Sequence, residues 1–171
     1  MVGKFQGMNL VKRPVIFIPV LVLIIIAGAG AYFLFFVSHD PIPQNIRSQV
    51  SFTLYYPSSL PPGWSIDKSS FYADPSDQVV GYRLKGQNGY LGITIQPAPN
   101  GFDFNNFYTK QLGDTTQFLT PLGQGAIGKA NNNYIGSLDT TTSWVLTSSS
   151  SSGISKSNVQ YVLNHMQTVS R

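Results

Sequence analysis

The side chains able to carry chemistry in this chain are two histidines, seven aspartates and a large stock of serines, threonines and tyrosines, with no cysteine and no glutamate. Without a thiol there are no disulfides, thiolate nucleophiles, thiolate metal sites or lipid-modified N-terminal cysteine. Serine hydrolysis needs a serine held on a sharp turn beside a histidine, and no G-x-S-x-G segment occurs. Paired-carboxylate hydrolysis would have to use aspartates alone. Each has a local role to fill: Asp103 as a helix cap, Asp74 and Asp77 in a turn, Asp139 at a strand end. Asp74-x-x-Asp77 is too sparse for a calcium loop, and no cofactor motif is present. An envelope hydrolase using an aspartate and His165 is the catalytic alternative. It requires His165 within about 3.2 Å of an acid or hydroxyl in an open cleft.

Aromatic rings offer binding rather than catalysis. Trp64, behind Pro61-Pro62-Gly63, reads as a plug under a rigid loop. Tyr55, Tyr72 and Tyr82 fall out of phase with apolar neighbours or at strand ends, which makes them the candidate binding residues.

Val15 to Val37 is a run of 23 residues without a charge, reaching roughly 35 Å as a helix, enough to cross a bilayer core of about 30 Å. Pro14 suits a helix start, and Pro19 moves the first regular turn to about Phe17. Lys4, Lys12 and Arg13 precede the run, which keeps the N-terminus cytoplasmic. A cleaved signal peptide with Ala27-Gly-Ala-Gly-Ala31 as its small-residue site is the rival reading. The same small residues, Ala27 and Ala31, would let two helices approach closely. Eight basic residues then face seven acids beyond Val37, a balance that gives nucleic acid nothing to hold. The organisation expected is a basic tail (1–13), a transmembrane helix (14–37), a linker (38–48) carrying His39, and an extracytoplasmic domain (49–171).

Within that domain Val50, Phe52, Leu54 and Tyr56 alternate with polar residues, predicting a strand that Pro57 ends. A second strand follows Trp64, and Gly86-Gln-Asn-Gly89 predicts a hairpin between Val79–Lys85 and Tyr90–Gln96. Asp103 caps a helix whose Phe104, Phe107, Tyr108 and Leu112 share a face. Strands at 126–130, 134–138 and 143–147 come next, with a weaker one near Phe118. A last helix begins at Ser155 or Ser157, with Val159, Val162, Leu163, Met166 and Val169 as its stripe. The order predicts an α+β fold, a transmembrane helix followed by one antiparallel-sheet sandwich with two covering helices.

The stretch FTLYYPSSLPPGW and the following GYLGITIQ strand resemble a family of bacterial single-pass membrane-anchored domains of unknown function with an early LPxGW motif. The early YP…GW pattern with a closing helix is more distantly similar to PsbP-like α+β sandwiches. That resemblance implies a noncatalytic accessory role and carries over no functional residue. The reading is a membrane-tethered domain that docks a protein or a cell-envelope component, without a cofactor.

Overall fold

The computed structural model describes residues 41–101, 103–151 and 153–170. The expected tail and transmembrane helix, with Ala27, Ala31 and His39, lie outside the described residues. Among the described residues no helix is long and apolar enough to cross a membrane.

The described chain opens with one helical turn, α1 (Gln44–Arg47), and a three-residue strand, β1 (Tyr55–Pro57). A meander follows: β2 (Ser65–Asp74), β3 (Val79–Gly86) and β4 (Gly89–Pro97). Helix α2 (Phe104–Gln111) leads to a second meander of β5 (Gly113–Thr120), β6 (Gly123–Ala130), β7 (Asn133–Thr140) and β8 (Ser143–Ser149). Helix α3 (Lys156–Asn164) and β9 (Met166–Thr168) come last.

Tight turns drive both meanders. β3 and β4 pair down to Gly86↔Gly89, leaving Gln87–Asn88 as the loop of the hairpin expected there. β6 and β7 close on Ala130↔Asn133, and the two residues between, Asn131 and Asn132, take φ of +49° and +65°. A two-residue type I′ turn demands that left-handed pair, and asparagine tolerates it.

The fold is mostly β, with seven strands in one antiparallel sheet ordered β2-β3-β4-β8-β7-β6-β5, and this corrects the expected α+β sandwich. The cause is the pairing of β4 with β8, from Leu91↔Ser149 to Pro97↔Ser143. It fuses the two meanders edge to edge instead of stacking them face to face. The helices are short and sit on opposite faces. α3 buries Val159, Val162 and Leu163 with Ile127, Leu138 and Val145, whereas α2 lays Tyr108 and Leu112 against Ala126 and Ile135. Adjacent strand residues such as Ala126 and Ile127 point to opposite faces, so the two clusters cannot share one side.

The α3 face holds the main core, where Val80, Tyr82 and Leu84 of β3 meet Leu91, Ile93 and Ile95 of β4. A two-stranded ribbon of β1 and β9 and the α1 segment complete its cover. The segment expected as a linker therefore contributes to the core, with Ile42 and Ile46 buried in it.

Both helix starts are where the sequence placed them. Asp103 accepts a hydrogen bond from the Asn106 N–H at 2.9 Å, and Ser155 forms a capping box with Asn158. The end of α3 differs from expectation. The helix stops at Asn164, and Met166 is buried from β9 through its pairing with Pro57. The Ser58 N–H and hydroxyl both donate to the His165 carbonyl, at 2.8 and 2.9 Å. Those two bonds and the β1 ladder replace what another helical turn would have given.

Candidate functional site

The candidate surface is the face of the sheet opposite the main core. Cross-strand register defines it row by row. One row runs Tyr72, Gly81, Thr94, Leu146, Ser137, Ala126, Gln117 across all seven strands. A second runs Asp67, Arg83, Gly92, Ser148 and Ile135. Helix α2 covers these rows over β6 and β7, at Ala126, Ser137 and Ile135, while Gln117 at the β5 end is exposed. The helix leaves them uncovered over β2, β3 and β4.

Under α2 the packing is aromatic and polar. Phe104 and Phe107 stand edge-on to Trp144, with ring centroids 5.6 and 5.8 Å apart. The Tyr108 phenol, 1% exposed, hydrogen-bonds the buried Ser137 hydroxyl. Burial raises the pKa of that phenol, and the nearby Asp139 carboxylate adds to the rise, against hydrogen bonds from Ser137 and Trp144. Burial also raises Asp139 above the usual carboxylate range.

On the uncovered part, Tyr72 is half exposed and its ring lies flat on Gly81, where a Cβ would collide with it. Arg83 reaches two ways: its guanidinium sits 5.1 Å from the centre of the Tyr90 ring, and its Nη2 is 3.1 Å from Asp67 Oδ2. Hydrogen bonds from the Ser69 hydroxyl at 2.6 Å and its N–H at 3.1 Å, with Arg83, hold the Asp67 carboxyl below the usual carboxylate range. Gly92 and Thr94 form the floor between these groups and Leu146. A Cβ on Gly92 would find nothing nearer than the Ser148 carbonyl at 3.6 Å.

Of the three candidate tyrosines, only Tyr72 stands on this surface. Tyr82 is 1% exposed and donates to the Tyr55 carbonyl at 3.1 Å; burial pushes its phenol far up. Tyr82 shares parity with Val80 and Leu84, so its place in the core was written in the alternation. Tyr55 is also buried, its hydroxyl 3.1 Å from Thr140 Oγ1 and 3.2 Å from Thr142 Oγ1. The ladder of β1 begins only at Tyr55, so the alternation from Val50 does not carry through and Leu54 and Tyr55 are both buried. The expected exposed trio does not form. Tyr90 takes its place, and its signal was its phase, opposite to Leu91 and Ile93.

His165 caps the C-terminus of α3. Its Nδ1 is 2.8 Å from the Tyr161 carbonyl and its ring stacks on Tyr161 at 4.1 Å. Asp103 and Asp74 do the capping and turn work expected of them. A cleft of about 240 Å³ lies between α1, the segment 50–54 that leads into β1, and the chain after β9, lined by residues that include Gln44, Arg47, Phe52 and Val169. A smaller one of about 160 Å³ lies at Trp64, Gln87 and Asn158. Neither lining includes His165 or an aspartate among the described residues. Trp64 packs against Gly86 at the rim of that smaller cleft. Among the described residues no three His, Cys, Asp or Glu side chains gather as a metal site would require.

No family model, curated protein or solved structure matches the chain.

Proposed function

We propose that this chain is a noncatalytic docking domain tethered to the cell membrane by the helix at 14–37, with its N-terminus cytoplasmic and its folded part outside. The uncovered part of the sheet face holds the partner, a protein or a cell-envelope polymer. One observation carries this reading: Tyr72, Tyr90 and the Arg83–Asp67 pair stand together over an open floor of Gly92 and Thr94. Such a surface combines aromatic area with charged and neutral hydrogen-bonding groups, the composition of an interface. The engagement of the His165 ring by Tyr161 supports a structural part for that histidine.

Two measurements test the reading. Protease applied to intact cells should destroy a C-terminal tag and spare an N-terminal one; the reverse pattern overturns the topology. A photo-crosslinking side chain at Thr94 should capture a partner on living cells, and capture should fall when Tyr72 and Arg83 are changed to Ala. Capture that is indifferent to both changes removes this face from the interaction.

A further inference from the structure

In an Asn-Gly step the side-chain carbonyl carbon lies within reach of a backbone nitrogen that no Cβ shields. Two such steps occur in the chain, Asn88–Gly89 and Asn100–Gly101. Both asparagines are exposed, so solvent access does not separate them. The state of the glycine nitrogen does. Gly86 and Gly89 are the last facing pair of the β3–β4 ladder, and in a two-residue hairpin the turn's own bond closes that pair, from the Gly89 N–H to the Gly86 carbonyl. The same step is clamped from outside. The Ser151 hydroxyl donates to the Asn88 carbonyl at 2.7 Å, and a Cβ on Gly89 would meet Ser151 Oγ at 2.4 Å. Asn100–Gly101 lies in the loop from β4 to α2, between the Ala98 N–H, bonded to the Thr142 carbonyl at 3.4 Å, and the Asp103 cap. Among the described residues no hydrogen bond holds the Gly101 N–H or the Asn100 side chain. Gly101 has φ of +70°, and a Cβ there would meet nothing within 4 Å.

We infer that Asn100 is a site of spontaneous deamidation, with water as the co-reactant, and that the fold withholds the same reaction from Asn88. The Gly101 nitrogen gives its proton to a solvent base and attacks Asn100 Cγ. A C–N bond forms, the Cγ–Nδ2 bond breaks, and ammonia leaves with a proton from solvent. The product is a five-membered succinimide whose nitrogen is that of Gly101. Water then opens the ring at one of its two carbonyls: at Cγ it yields aspartate, and at the backbone carbonyl it yields isoaspartate, with the chain running through the side chain. Either product adds one negative charge to a loop that held none at that position. Isoaspartate also adds one backbone atom to the connection that leads into α2, the helix packed on Ala126 and Ile135. At Asn88 the attack is blocked at its first step, because the ladder must open before the Gly89 nitrogen is released. The reaction needs neither the membrane helix nor a partner.

The full-length chain is kept in detergent micelles at neutral and at mildly alkaline pH, with a portion in denaturant, and sampled over days. Chymotrypsin cuts at Tyr90 and so places the two steps on separate peptides for mass spectrometry. In the folded chain the Asn100 peptide should gain acid several-fold faster than the Asn88 peptide. In denaturant the two should convert at similar rates. Conversion at Asn100 should rise with pH, because the attacking group is the deprotonated amide, and isoaspartate should accompany aspartate. Gly101→Ala should slow it several-fold by shielding the nitrogen. Asn100→Gln, whose longer side chain has to close a six-membered ring, should all but stop it and leave Asn88 in denaturant as before. Equal or faster conversion at Asn88 in the folded chain, an Asn100 step that folding slows as much as it slows Asn88, or acid at Asn100 without isoaspartate each overturns the proposal.

Discussion

Among the described residues the same face of one sheet is closed over β6 and β7 and bare over β2, β3 and β4. On the closed side the residues between the strands' core positions are small or apolar, Ala126, Gly128 and Ile135, and α2 packs onto them. On the bare side the equivalent positions are Arg83, Lys85, Tyr90 and Thr94, and among the described residues no helix covers them. Alternation alone makes the two sides look alike. What separates them is whether the outward set can be buried: alanine, glycine and isoleucine lose little by desolvation, whereas arginine and lysine would lose much. The closed side serves stability, and the bare side is the surface proposed for docking.

The sharpest way to break this comparison is Tyr108→Ala. The ring fills the space under α2 and its phenol satisfies Ser137, so the change should cost about 3 to 5 kcal/mol by analogy with other buried aromatic truncations. Chemical denaturation measures it. A loss below about 1 kcal/mol would mean that α2 is not held as described. Gly128→Ala should cost less, about 1 to 3 kcal/mol as overpacking does. A Cβ at Gly128 would meet Leu112 Cβ at 2.5 Å and the Gly113 carbonyl at 3.1 Å, so the chain entering β5 must shift.

The local elements were legible in the sequence and their assembly was not. Val80, Tyr82 and Leu84 against Leu91, Ile93 and Ile95, with the glycines between, announce a hairpin, and Asp103 and Ser155 announce helix starts. Such signals are local, and each is read within a few residues. The fusion of β4 to β8 joins residues more than 40 apart, and neither strand carries a mark that names the other. That long-range choice turned the expected sandwich into a single sheet. Met166 illustrates the same competition on a smaller scale. Its spacing continues the stripe of α3, yet pairing with Pro57 draws it into a strand. Of the three candidate tyrosines Tyr72 is half exposed, whereas Tyr55 and Tyr82 are buried; the phase of Tyr82 is that of the core and the phase of Tyr90 that of the surface.

Two aspartates turn the comparison into a pH experiment. Asp139 lies on the closed side and burial raises its pKa, so the folded chain holds that proton more tightly than the unfolded chain. Its contribution to stability is present below pH ~4 and is lost as pH rises through the raised value. Asp67 lies on the bare side with its pKa lowered by Ser69 and Arg83. Its contribution is present above pH ~4 and is lost as pH falls through the lowered value. At neutral pH, Asp139→Asn should therefore raise Tm and Asp67→Asn should lower it, and both differences should shrink on acidification. Thermal melts of both variants at pH 7 and pH 3 check this. Shifts of the same sign at pH 7 would undo the electrostatic contrast between the two sides.

The smallest expected effect is the most telling for function. Gly92→Ala places a methyl group on the open floor, where the nearest atom is the Ser148 carbonyl at ordinary van der Waals distance, 3.6 Å. Alanine also has the smaller backbone entropy to lose on folding. Stability should then stay within about 0.5 kcal/mol of the parent, in contrast to the same substitution at Gly128 on the closed side of the same sheet. A flat floor matters to a partner all the same, because one methyl group there holds an approaching chain or ring off the sheet. Gly92→Ala should leave the melt unchanged and reduce crosslinking from Thr94, and Gly92→Leu should reduce it further. A large loss of stability from Gly92→Ala would mean that something covers this side as α2 covers the other, and the surface would then be unavailable for docking.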